Sequence, residues 1–344
     1  MTLANFILAR KTLTGLLEFE ILNDSDHMKR REFLKRAGRA AALAAITGSA
    51  AYLLYNRKPS AYAPKAVKRP AFDLDRDKSF PQTASCTNAD PIVALDQSLD
   101  AVGGIKRFVR PGERVTIKPN IGWDRTPEQA ADTNPMLVAQ MVTLCLAAGA
   151  REVIVSDISC NDPRRCFVRS GIRDAAEKAG ARVILPQSDD FQKANFDGKI
   201  LKEWDVLKWF VETDRLINMP IVKHHGMSAC TIGMKNLYGV LGGPRHQLHQ
   251  QIDQSIVDLT AYFKPTLTVV DATHVLLRNG PQGGSTDDVL VANSVVCSTD
   301  PVGADARAVE FMGLRGDQIG HIVLAEKSGL GQIDYRAAGY REIL

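Results

Sequence analysis

The sequence predicts an α/β fold: a mostly parallel, Rossmann-like sheet with flanking helices, plus an additional mixed C-terminal α/β portion. Three observations carry this prediction. From residue 92 onward, short β-branched runs alternate with segments of helical spacing. The phrase Ala-Gly-Ala-Arg occurs twice, at 148–151 and 179–182, each time between a helix and a strand. A glycine stop followed at once by a strand is the grammar of βαβ units. Finally, 344 residues that are 45% apolar and 24% charged can bury a sizeable core.

Taken in order, Val93, Leu95, Leu99 and Val102 set a helical spacing over 92–102, and Gly103-Gly104 end it. Pro111-Gly112 make a turn into a short strand over 114–118. Asn134 is a helix cap with Pro135 at the first helical position, and that helix runs to Ala148 with Gly149 as its terminator. A strand over 152–156, a helix over 171–179 and a strand over 182–185 follow. The mixed stretch 189–209 reads as a peripheral insertion, and Leu216-Ile217 end a further strand. Ile252, Ile256, Leu259 and Phe263 give helical spacing over 249–263. An apolar strand over 267–270 ends in Asp271, and 278–284 is a glycine-rich loop. Residues 289–291 and 295–297 read as a hairpin pair. Asp300-Pro301 cap a helix through Met312, and the last helix begins over 319–325.

The net charge of +4 is concentrated at the N-terminus. Residues 1–57 hold nine Lys or Arg against five Asp or Glu, whereas 58–344 hold 34 of each sign. A neutral body gives no support for nucleic-acid binding. Lys29-Arg30-Arg31-Glu32-Phe33-Leu34-Lys35 resembles a twin-arginine export signal. The small-residue apolar stretch behind it, 40–55, is shorter than the roughly 20 residues of a spanning helix and fits a signal h-region. Met28 directly precedes the basic cluster, so translation is expected to start there rather than at Met1. Residues 1–27 then read as a mis-assigned upstream segment. Residues 28–57 read as a signal or uncleaved anchor that meets the inner membrane, with cleavage positions at 49–51 or 61–63. The expected location is the periplasm or beyond. Residues 58–90, rich in Pro, Ala, Lys and Asp, read as a linker, and 91–344 as a single α/β domain.

None of the six cysteines is arranged as C-x-x-C, so neither a zinc ribbon nor an iron–sulfur cluster is supported. Cys160 and Cys166 are spaced for a small disulfide loop after export, and Cys145 lies in an apolar helical run that reads as core.

The candidate site centres on 218–243, where Lys223, His224 and His225 precede Gly226, and Lys235-Asn236 lie between Gly233 and Gly239. Lysines and amides between glycines suit an anionic ligand, because glycine lets backbone N–H groups approach it. Polar residues also fall where predicted strands end: Lys118 with Asn120, Asp157, Lys223 with His224, and Asp271. Ligands of open α/β sheets bind beyond such ends. In this reading Lys118, Lys223 and Lys235 hold phosphate or carboxylate groups, and Asn120 and Asn236 orient the ligand. Lys223, His224 and Asp271 are the catalytic candidates, and His224 with Asp305 the candidate ligands of a divalent metal. His246 and His249, three apart, are either further nitrogen donors or a polar helix entry. No dinucleotide fingerprint, nucleophile elbow or Walker A sequence is present.

Six motifs occur in order: 115–120 (V-T-I-K-P-N), 216–220 with Lys223-His224, 233–239 (G-M-K-N-L-Y-G), Val270-Asp271, 280–283 (G-P-Q-G) and 300–305 (D-P-V-G-A-D). Together they resemble the domain-of-unknown-function-362 family over about 91–331. The resemblance implies the α/β fold and singles out the Lys223/Lys235 region, but implies no reaction. Some of these relatives carry a ferredoxin-like cysteine-rich segment that this chain lacks, so no cluster is carried over. Two functions fit: an exported enzyme that binds a metal or an anionic cofactor or substrate, or a non-catalytic periplasmic ligand-binding or redox-accessory protein. A covalent cofactor on Lys223 or Lys235 is a third.

Overall fold

The computed structural model describes residues 8–11, 17–20, 34–35, 37–39, 41–42, 70–72, 74 and 76–344. The chain divides into two units, residues 1–63 and 64–344. The first holds an antiparallel ribbon of β1 (Leu8–Lys11) and β2 (Leu17–Glu20), with Leu8 opposite Glu20. Met28, the Arg30-Arg31 pair, residues 43–55 and both expected cleavage positions lie outside the described residues. No helix among the described residues is long and apolar enough to cross a membrane.

In the second unit, β3 (Thr83–Thr87) leads into α1 (Pro91–Ala101) and the short α2 (Ile105–Phe108). Then come β4 (Arg114–Pro119), α3 (Pro135–Ala147), β5 (Glu152–Ser156), α4 (Pro163–Arg169), α5 (Ile172–Lys178) and β6 (Arg182–Ile184), of which the sequence predicts all but α4. Asn134 caps α3 by accepting from the Met136 N–H, and Pro135 occupies the first turn, where its missing donor costs nothing. The 189–209 insertion is an antiparallel hairpin of β7 (Phe191–Asn195) and β8 (Glu203–Leu207), apart from the main sheet.

Next come β9 (Arg215–Met219), β10 (Ile221–His225), β11 (Ala229–Thr231) and the four-residue α6 (Gly233–Asn236). The chain finishes with α7 (Ile252–Phe263), β12 (Leu267–Leu276), β13 (Val289–Ser298), α8 (Pro301–Val309), α9 (Gly320–Lys327), α10 (Tyr335–Gly339) and β14 (Tyr340–Ile343).

The main sheet runs β14-β3-β13-β12-β9-β4-β5-β6, with β10 paired to both β12 and β11. The pairs β12–β9, β9–β4, β4–β5 and β5–β6 are parallel, while β3–β13 and β13–β12 are antiparallel. The fold is therefore a mixed α/β sheet, mostly parallel, with helices on both faces. Side-chain alternation shows this directly: Leu216, Val270 and Val296 enter one hydrophobic core, and Ile217, Val269 and Val295 enter the other.

Four sequence expectations give way here. Asp271 does not end its strand: β12 continues through it to Leu276. The predicted hairpin over 289–297 is the single strand β13, which pairs with β12 across a bulge, with Asn293 at φ 49°. The stretch read as linker contains β3, buried between β13 and β14. Its threonines bond sideways, Thr83 to the Ser298 hydroxyl (2.8 Å) and Thr87 to the Ser294 hydroxyl (2.7 Å), so no apolar alternation marks it. Finally, Cys160 and Cys166 are both free thiols, one exposed and one buried on α4, rather than a disulfide.

Candidate functional site

From β4 the chain steps outward through β5 to β6, then returns to place β9 on the other side of β4. A crevice forms outside the carboxyl ends of the strands at such a reversal. A cavity of about 270 Å³ lies there, with Lys118, Asn120, Asp157, Lys223, Lys235 and Arg245 in its wall.

Each side chain arrives for a local reason. Lys118 is the penultimate residue of β4, and Asp157 directly follows β5, its parallel neighbour. Lys118 Nζ meets Asp157 Oδ1 at 2.7 Å in a buried ion pair, and the other carboxylate oxygen accepts from the Ile121 N–H at 2.7 Å. Burial lowers the Lys118 pKa and Asp157 opposes the shift. Asn236, at the end of α6, joins the pair to the rest. Its Oδ1 accepts from Lys118 Nζ (3.2 Å) and Asn120 Nδ2 (2.9 Å), and its Nδ2 donates to Asn218 Oδ1 (2.8 Å). A Cβ at Gly239 would sit 1.9 Å from Asp157 Oδ1 and 2.6 Å from Lys118 Nζ, so only glycine lets the loop after α6 close over the ion pair.

The period of two along β10 decides which of its polar residues reach the cavity. Lys223 and His225 line it, whereas His224, between them, does not. Lys223 Nζ donates to Asn120 Oδ1 (2.9 Å) and to the Ala131 carbonyl. Burial lowers its pKa to about 8, opposed chiefly by Asp132, whose own carboxyl burial pushes up to about 7. His225 Nδ1 accepts from the Met227 and Ser228 N–H groups, and burial followed by the Lys235 charge holds the ring neutral, its pKa down to about 3. Its ring stacks on that of His249, with centroids 6.0 Å apart.

Asp305 anchors α6 from outside the cavity. Its two oxygens accept from the Gly233 N–H (2.8 Å) and the Met234 N–H (3.1 Å), satisfying the free donors at that helix start. Two residues later comes Lys235, whose Nζ lies 3.6 Å from the centroid of the Tyr238 ring. Burial, and then the Arg245 guanidinium, lower its pKa to about 7. Arg245 is held in place by backbone carbonyls, donating to Tyr238 (3.1 Å), Ile158 (2.8 Å) and Ser159 (3.2 Å).

Lys118, Asn120, Lys223, Lys235 and Asn236 thus share one cavity wall. Asp271, His224 and Asp305 do not line it. Asp271 instead accepts from the Asn134 N–H (2.7 Å) and from the Thr273 N–H and hydroxyl, fixing the entry to α3. The Gly280 loop packs on the backbone of His224, where a Cβ at Gly280 would fall 2.0 Å from its carbonyl oxygen. His246 stays outside the lining as well. Among the described residues no three His, Cys, Asp or Glu side chains converge as metal ligands. Sequence reasoning passed over Arg245, Asp132 and Tyr238. The run Tyr238-Gly239 beside Lys235 was a signal for the last, whereas nothing local marks the first two.

Comparison with known proteins matches residues 115–310, more than half of the chain, to the domain of unknown function (DUF362). The chain belongs to that family. The site residues from Lys118 to Asp305 all fall within the family domain. A relative, the thylakoid-associated protein sll1697 of Synechocystis sp., is 24% identical over 226 residues, which cover 62% of this chain and 69% of that protein. Among solved structures, the DUF362 chain is similar to the lactate racemase apoprotein from Thermoanaerobacterium thermosaccharolyticum, with 12% identity and a TM-score of 0.40 over 71% of this chain and 61% of that one. A protein from Thermotoga maritima gives 10% identity and a TM-score of 0.32 over 69% and 58%. The chain therefore spans less than two thirds of either solved structure.

Proposed function

We propose that this protein is an exported enzyme whose substrate is a small anion bound in the cavity at the carboxyl ends of β4 and β5, walled also by β10. One observation carries the reading: the cavity wall holds more basic side chains than carboxylates. Asp157 pairs with Lys118, and Asp132 supplies the main counter-charge to Lys223. Lys235 and Arg245 have no carboxylate within 4.0 Å among the described residues. A buried, unpaired Arg245 is costly, Lys235 escapes the same cost by giving up its proton, and an anionic ligand offsets the cost and favours the Lys235 ammonium again. The donors that meet there are lysines, an arginine and amides, a set that suits carboxylate or phosphate better than a divalent metal. Export rests on the twin-arginine pattern around Arg30-Arg31. The relative named as thylakoid-associated is compatible with a place at or beyond a membrane.

The test is calorimetric titration of the full chain with phosphate and with short mono- and dicarboxylates. A saturable one-site isotherm that Arg245→Gln abolishes is expected. If no anion in the panel saturates, the reading fails. Binding without turnover of any bound acid would make the protein a carrier instead. Export is checked separately: Arg30→Lys with Arg31→Lys should leave the protein in the cytoplasmic fraction.

A further inference from the structure

The three lysines of the cavity differ in a way that their shared burial hides. An ammonium carries three donors and no acceptor. Lys118 Nζ uses all three, on the Pro119 carbonyl (3.1 Å), Asp157 Oδ1 and Asn236 Oδ1. Lys223 uses two, on Asn120 Oδ1 and the Ala131 carbonyl. Lys235 uses none on any described residue, although it is only 7% exposed. Its surroundings are the Tyr238 ring and the positive charges of Arg245, Lys223 and Lys118. Among the described residues only the ring face and the Cys160 thiol favour an ammonium at Lys235, apart from whatever enters the cavity. The neutral amine is therefore favoured, and a neutral lysine amine is a nucleophile toward carbonyl carbon.

We infer that Lys235 captures a small carbonyl compound bearing a carboxylate, a short 2-oxo acid, as an imine in this cavity. This rests on the anion-site reading above. The amine nitrogen forms a bond to the carbonyl carbon, and the C–O π electrons move to oxygen. The oxygen then leaves as water with the two amine protons, and the N–C bond becomes double. No oxidant or reductant is required. The carboxylate beside the new C=N bond meets Arg245, which lines the same cavity and has no carboxylate partner among the described residues. Lys118 is unsuited to this role, because its nitrogen would have to abandon three hydrogen bonds. The lowered pKa of Lys235, about 7, agrees with the geometry, since the amine is free at a pH where exposed lysines are protonated.

The experiment is reductive trapping of the full-length wild-type chain with pyruvate or glyoxylate and cyanoborohydride, read by intact mass and peptide mapping. The expected result is one adduct, of the acid's mass less one oxygen, on the peptide carrying Lys235. Its rate should rise with pH to a plateau with a midpoint about 7, not climb through the range of exposed lysines. Lys235→Arg should lose the adduct; mapping of the wild type locates it even if that variant folds poorly. Saturable oxo-acid binding by calorimetry without an adduct on Lys235 would overturn the imine and leave the anion site standing. Adducts scattered over surface lysines would overturn it too. Neither binding nor adduct would overturn both.

Discussion

The lysines of the cavity wall span a range of hydrogen-bond partnering, and the two ends of that range hold the same side chain in opposite circumstances. At one end Lys118 is wholly enclosed, paired with Asp157 and tied into a network by Asn236 and Asn120. At the other, Lys235 is nearly as enclosed, yet has an aromatic ring and an arginine for neighbours and no acceptor among the described residues. Buried charge is kept where its partners compensate it, so the Lys118 end has the character of structure. A buried amine left without partners costs stability, and such a cost is tolerated where a ligand or a reaction uses it. Burial alone would have ranked the two lysines equally; the count of hydrogen-bond partners separates them.

The sharpest way to break this contrast is at the saturated end. Asp157→Asn removes the counter-charge of Lys118 without removing volume, and it should cost about 3–5 kcal/mol of folding stability, the usual penalty for stranding one half of a buried pair. Denaturant unfolding measures it, and adding Lys118→Met should recover part of the loss. A cost below about 1 kcal/mol would mean that the pair is not what holds β4 to β5 there. Asn236→Ala should follow at about 2–3 kcal/mol, because it strands Asn218 Oδ1 and Asn120 Nδ2 together.

Much of the saturated end was legible in the sequence, because strand ends can be read from β-branched runs that stop. Lys118, Asn120 and Asp157 follow such runs, and the topology then brings them together. The unsaturated end was half-legible. Lys235 stood out between two glycines, but Arg245 reaches the cavity from a 3-10 turn whose position depends on packing against Ile158 and Tyr238. His224 is the candidate read from the sequence, whereas His225 is the one that lines the cavity. Parity along a strand is a one-residue matter, and the sequence does not show where β10 begins. Asp271 misled for a related reason: an acid after an apolar run reads as a strand end, yet here it sits mid-strand and caps a neighbouring loop.

The link between the two ends is α6, and Asp305 tests it. Burial raises the Asp305 pKa from 3.8 to about 7, so between those values the unfolded chain ionises while the folded acid keeps its proton. The contribution of this group to stability is therefore fully present below about pH 4 and is lost as pH rises toward 7. Asp305→Asn should flatten that slope in unfolding experiments at pH 4.5 and 7. It should also cost about 1 kcal/mol at the low end of the range, because one of the two capping oxygens is replaced by a donor. A slope unchanged by the substitution would place the titrating group elsewhere.

The smallest expected effect on stability is the most telling. Lys235→Met keeps the stem that packs on Tyr238 and deletes an amine with no acceptor among the described residues, so the folded state loses no hydrogen bond seen there. It also removes a buried amine whose charged form burial and Arg245 disfavour. The melting temperature should stay within a degree or two of wild type, or rise, since a change of 1 kcal/mol in a chain of this size shifts it by roughly 2 °C or less. Anion binding should fall by about tenfold or more, the effect of one lost charge-assisted contact of about 1.5 kcal/mol. A marked drop in melting temperature with binding intact would invert the comparison. Lys235 would then belong with Lys118 as a structural charge, and the cations that draw a ligand would reduce to Arg245.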